Sequence, residues 1–90
     1  MATPSRIPYP PCESDLCTDR SCCSNGFKYR WPNLVGKSGV LAKRVIEANN
    51  PLVTVVVLPF GSVGLTDFCC NRVYVFLDEN SNVIATPIIG

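Results

Sequence analysis

Ninety residues are enough for one domain and too few for two, and the core of so short a chain gives thin stability by itself. Eight Lys and Arg against seven Asp and Glu leave a formal charge of +1, which offers neither a basic field for nucleic acid nor a polybasic anchor for a membrane. No run approaches the roughly 20 apolar residues of a membrane span, and Met1 to Pro11 carries Arg6 but no hydrophobic block, so no intact secretion signal is read there.

Residues 1–30 are rich in Pro, Ser, Cys and charge without apolar periodicity, which predicts an irregular arm held by its cysteines ahead of a regular domain over 31–90. Cys12, Cys17, Cys22, Cys23, Cys69 and Cys70 form an even set in a small chain. They read as a disulfide framework of a secreted protein or another oxidising compartment. Metal is the competing use, but structural zinc sites favour C-x2-C knuckles or histidine, and this chain has no His. Disulfides are therefore expected, with neither metal nor cofactor. The missing His also removes any Ser-His or Cys-His pair, and no phosphate-binding glycine motif occurs, so no enzyme is expected.

Lys37 to Asn50 reads as a helix, with Ser38 as N-cap and Asn49-Asn50-Pro51 as its stop. Leu41, Ala42, Val45 and Ile46 give the apolar stripe, with Lys43, Arg44 and Glu47 facing outward. Val53 to Leu58 is a β-branched run typical of a strand buried on both faces. Arg72 to Leu77 alternates: Val73, Val75 and Leu77 share one face, and Arg72, Tyr74 and Phe76 the other. Asp78 to Asn82 is a polar turn, and Val83 to Ala85 is short enough for an edge strand. The fold class is α+β: one helix packed on a small mixed sheet, with an extended exposed loop. That loop, Pro59 to Cys70, is too long for a tight hairpin and lacks the pattern of a crossover helix. Its apolar interior beside two cysteines suits a segment made to be gripped by a partner.

Several segments then resemble the potato inhibitor I family of serine protease inhibitors. They are Trp31-Pro32-Asn33-Leu34-Val35-Gly36-Lys37-Ser38-Gly39, Ala42-Lys43-x-Val45-Ile46-Glu47, and Val55-Val56-Val57-Leu58-Pro59-x-Gly61-Ser62. Asp67-Phe68, Asn71-Arg72-Val73-x-Val75-Phe76, Asp78-Glu79-Asn80-x-Asn82-Val83 and Thr86-Pro87-x-x-Gly90 follow in order. The resemblance implies an inhibitor whose loop Gly61–Cys70 binds a protease cleft as an extended substrate. Counted from Gly61-Ser62 and Asp67, the bond at risk is Thr66–Asp67. Val63, Gly64, Leu65 and Phe68 are the flanking contacts. A β-branched, uncharged Thr66 suits neither a trypsin-like pocket nor a deep chymotrypsin slot and points to elastase-like or subtilisin-like enzymes. A shift by one residue would make Leu65–Thr66 the bond and bring in chymotrypsin-like enzymes. The partner is then a serine protease, met by a monomer, with no nucleic acid and no membrane involved.

The family braces its loop with two arginines, which hold a threonine and the acidic residue flanking the bond. Here Asp67 and Arg72 keep one half; Leu65 and Tyr74 replace the other, which suggests that these two pack together. Gly64 stands where the family tends to have a stiffer residue, and glycine adds flexibility. The resemblance implies that Cys70 bridges to Cys22 or Cys23 and that Cys69 makes a second tie to the arm. Cys12 and Cys17 are then candidates for the third bridge. The changed brace residues also raise the alternative of the same fold with weakened or lost inhibition, serving as a binding or storage protein.

Overall fold

In the computed structural model, which describes residues 11–14, 16–64 and 67–90, the two apolar runs set the frame. Thr54–Leu58 (β1) and Arg72–Phe76 (β2) pair in parallel, with Val55 opposite Val73 and Val57 opposite Val75. Parallel strands need a connection of about a dozen residues or more, because the chain must return to the end from which it started. A helix usually makes that crossing; here the described residues of the segment 59–71 hold no helix. The length of the loop is thus a consequence of strand direction.

One helix covers one face of this pair. Gly39–Asn49 (α2) begins at Ser38, whose Oγ accepts the Leu41 amide at 3.1 Å, and its last turn is closed by the Asn50 amide on Ile46 O. Ala42 and Ile46, one turn apart, are fully buried against Val55, Val73, Val75, Leu77 and Val83. Trp31 closes the same core, its indole N–H donating to Asn49 Oδ1 at 3.0 Å. Gly39 lies in contact with Leu77, where a Cβ would come within 2.8 Å of Leu77 Cδ2, so the helix start sits close on the sheet.

The elements differ from the sequence expectations at four places. Leu41 is 39% exposed, because the buried stripe runs along Ala42 and Ile46 with only Val45 half-buried beside it. Glu47 does not simply face solvent: its Oε2 accepts the Val55 amide at 2.9 Å and pairs with Lys43 Nζ at 2.7 Å, tying α2 to β1. β1 is not buried on both faces; Val56, Val57 and Leu58 are half-buried, since among the described residues β1 pairs only with β2. Residues 83–85 form no edge strand, and the return is made by single antiparallel bridges, Leu77 with Val83 and Val73 with Ile89.

The arm is also not irregular throughout. Arg20–Ser24 (α1) makes one short helix, because Asp19 caps it by accepting the Cys22 amide at 2.9 Å and Asn25 ends it at φ 53°. Cys23 and Tyr29 pack against the main core, so burial extends to residues ahead of Trp31.

Candidate functional site

The second face of β2 looks toward the crossing loop. Alternation sends Val73 and Val75 to the core and leaves Arg72 and Tyr74 under the loop. The loop leaves β1 through a turn in which Ser62 N–H donates to Pro59 O at 3.0 Å, with Gly61 at φ 87°, a conformation that favours glycine. Beyond it Val63 is 86% exposed, while Gly64 is half-buried on the Tyr74 ring. Leu65 and Thr66 lie outside the described residues, and so does the expected packing of Leu65 on Tyr74.

Arg72 is the centre of the support. Its side chain is 2% exposed, yet it carries a full charge, so nearly every N–H must find a partner. Nη2 donates to Asp67 O at 2.7 Å and to Asp67 Oδ1 at 3.0 Å; Nε donates to Gly90 O at 2.8 Å. Nη1 has no hydrogen-bond acceptor among the described residues, and the guanidinium carbon stands 4.4 Å from the centroid of the Tyr74 ring. An aromatic face attracts a cation and partly offsets the cost of burying it. Tyr74 also meets Phe76, with ring centroids 5.8 Å apart.

Gly64 acquires a reason from this stack. A Cβ there would fall 2.7 Å from Tyr74 Cε2, closer than packed atoms come. Its φ is not in the left-handed region, so the space taken by Tyr74, not backbone freedom, is what selects glycine.

Covalent ties hold the exit of the loop. Cys12 is bonded to Cys69, Cys23 to Cys70, and Cys17 to Cys22. Both loop cysteines therefore reach the arm; Cys70 takes Cys23, and Cys12 belongs to a loop tie, leaving the third bridge local to the arm. All six sulfurs are oxidised in pairs, which takes up the thiolates that a metal would need. Phe68 is half-buried against the core, and Cys69 and Cys70 are buried.

Two features escaped the sequence reading. Asn71, singled out in the sequence only as part of a motif, clamps the arm: its Oδ1 accepts the Glu13 amide at 3.1 Å and its Nδ2 donates to Pro11 O at 2.7 Å. The Cys70 amide donates to Glu13 O beside it. The pair Ile89 and Gly90 is the other, since Gly90 O accepts from Arg72 Nε, and Arg20 Nε donates to the neighbouring Ile89 O at 2.9 Å. A carbonyl partner leaves no sequence signal, whereas the position of Asn71 directly after two cysteines is a signal for a tie to the same arm that they reach.

The class these observations define is a small disulfide-tied α+β domain that presents one loop, braced beneath by a buried arginine and at its exit by two bridges. Comparison with known proteins narrows this. The model of the potato inhibitor I family matches residues 23–90. The inhibitor of trypsin and Hageman factor of Cucurbita maxima is 43% identical over 63 residues, covering 70% of this chain and 93% of that protein. The Glu S. griseus protease inhibitor of Momordica charantia is 46% identical over 63 residues, with the same coverage. The crystal structure of bitter gourd trypsin inhibitor superposes with a TM-score of 0.69 at 45% identity, covering 71% of this chain and 94% of that one. The chain belongs to the potato inhibitor I family.

Proposed function

We propose that this protein inhibits serine proteases by lodging the loop Gly61–Cys70 in the cleft as a substrate, with Thr66–Asp67 as the bond offered to the enzyme. The observation that carries the reading is the Arg72–Asp67 tie, which fixes the carbonyl and the carboxylate of the residue just after that bond. A loop held in its bound shape loses little conformational freedom on association. If the bond is cut, the leaving segment stays tethered through Cys69 and Cys70, so religation competes with hydrolysis.

The relatives named above are inhibitors of proteases, not enzymes, and the full set of paired cysteines suits a secreted or otherwise oxidising location. Their names speak of trypsin, Hageman factor and a Glu S. griseus protease, whereas Thr66 here is small, branched and uncharged. It fits shallow pockets, which makes elastase-like and subtilisin-like enzymes the targets, one inhibitor monomer to one enzyme molecule. Titration of subtilisin, elastase, chymotrypsin and trypsin with the protein tests this. Stoichiometric inhibition of subtilisin or elastase, with trypsin spared, is expected. No inhibition of any of the four at a near-equimolar ratio would leave a non-inhibitory member of the fold.

A further inference from the structure

We propose that the arm segment 11–13 is part of the protease-binding face and takes over the contact that the third residue after the reactive bond would make. The inference rests on Thr66–Asp67 being that bond. Counted from it, Asp67, Phe68 and Cys69 are the first three residues on the leaving side. An enzyme gripping an extended segment meets successive side chains there. The Asp67 side chain is 48% exposed, but Cys69 is 0% exposed, so the third position has no side chain to show.

Cys12 is the arm residue bonded to it, with Cα atoms 5.2 Å apart, and Cys12 is itself exposed. Its sulfur, the sulfur of Cys69 and a carboxylate oxygen of Asp67 all lie within 4.8 Å of one another. It is also 3.6 Å from Phe68 O. The arm therefore stands directly beside the first leaving-side residue. An enzyme that closes around Asp67 closes around Cys12 as well.

The arm cannot swing clear. The Cys12–Cys69 bond, the two hydrogen bonds of Asn71 to Glu13 N–H and Pro11 O, and the Cys70 amide on Glu13 O fix three consecutive arm residues to the loop's exit. Pro11, Cys12 and Glu13 are all exposed. The leaving side is thus two chain segments wide where an ordinary peptide substrate is one. The partner this fits is a serine protease whose cleft is open beyond its second leaving-side subsite. An enzyme walled in at that point would collide with the arm, so the arm selects targets by steric exclusion.

Cross-saturation NMR tests the contact directly. Full-length deuterated, ¹⁵N-labelled protein is mixed with unlabelled subtilisin whose catalytic serine is replaced by alanine, and the enzyme protons are irradiated. The expected result is signal loss at the amides of Cys12 and Glu13 together with those of Val63, Gly64, Asp67 and Phe68. Loss at the loop amides with Cys12 and Glu13 untouched overturns the inference while leaving the inhibitor reading in place. Absence of any complex with subtilisin, elastase or chymotrypsin overturns the inhibitor reading, and this inference with it.

Discussion

The ring of Tyr74 occupies the space that a side chain at Gly64 would need, with 2.7 Å between Tyr74 Cε2 and an ideal Gly64 Cβ. Stepping aside would cost the ring its contacts with the Arg72 guanidinium and the Phe76 ring. Glycine in the loop and tyrosine on the strand are therefore one device, in which the strand side chain stiffens what the glycine would loosen. Gly64→Ala is expected to destabilise the protein by about 1–3 kcal/mol, the usual cost of overpacking. In a Tyr74→Ala background the same change should cost much less, giving a coupling of about 0.5–3 kcal/mol in a double-mutant cycle followed by chemical denaturation. Strictly additive losses would show that the two residues do not share that space.

Arg72 joins three parts of the chain: the loop through Asp67, the tail segment through Gly90, and its own strand. A lysine has no planar fork with which to reach Gly90 O and both Asp67 oxygens together. Arg72→Lys is expected to lose about 1.5–3 kcal/mol per charged hydrogen bond left unmade. If that loss falls on the restraint of the loop, cleavage by a catalytic amount of subtilisin quickens by about tenfold to a hundredfold. A variant cleaved at the parent's rate would show that the loop holds its shape without the arginine.

The three bridges are not equivalent. Cys12–Cys69 spans 57 residues and meets the loop, whereas Cys17–Cys22 spans 5 within the arm. Removing the first by Cys12→Ser with Cys69→Ser is expected to lower stability by about 2–4 kcal/mol and to hasten cleavage of the loop. Removing the second by Cys17→Ser with Cys22→Ser should cost less and leave inhibition unchanged. Thermal unfolding beside inhibition assays distinguishes the two, and equal losses of inhibition would contradict the assignment of the first bridge to the loop.

Asp19 gives the arm a pH dependence. Hydrogen bonds from the Ser21 hydroxyl and the Cys22 amide hold its pKa below the ordinary 3.8. The unfolded chain then binds the proton more readily, so the stability contributed by this cap is fully present above pH 3.8 and is lost as the pH falls through the lower folded value. Asp19→Asn keeps a capping side chain but does not titrate. Acid titration of the variant, followed by circular dichroism, should lack the part of the low-pH loss that belongs to Asp19; superimposable curves for the two proteins would deny the cap its role.

Much of this was legible in the residues. Ser38 and Asn50-Pro51 bracket α2 because a cap and a proline act locally, and the alternation of β2 names the side chains beneath the loop. Strand direction was not legible: a connection of the length of 59–71 permits a return to either end of the sheet, and only the packed core decides between them. Leu41 and Ala42 both suit an apolar stripe, and which of them is buried depends on how the helix is rolled on the strands. The partners of Arg72 divide in the same way. Asp67 lies near in sequence, while Gly90 O is a backbone atom brought in by the tail, and no residue type announces it. Asn71 was undervalued because its clamp exists only once the arm has been drawn alongside by Cys12.

The central claim is that the segment crossing from β1 to β2 is a stiff substrate mimic cut, if at all, between Thr66 and Asp67. Incubation with a catalytic amount of subtilisin, with mass mapping before and after reduction, tests it most directly. The account predicts a single cut at that bond and an unreduced chain that stays in one piece, one water molecule heavier and still inhibitory. Rapid cutting at several bonds of the loop, with inhibition lost as cutting proceeds, would contradict it.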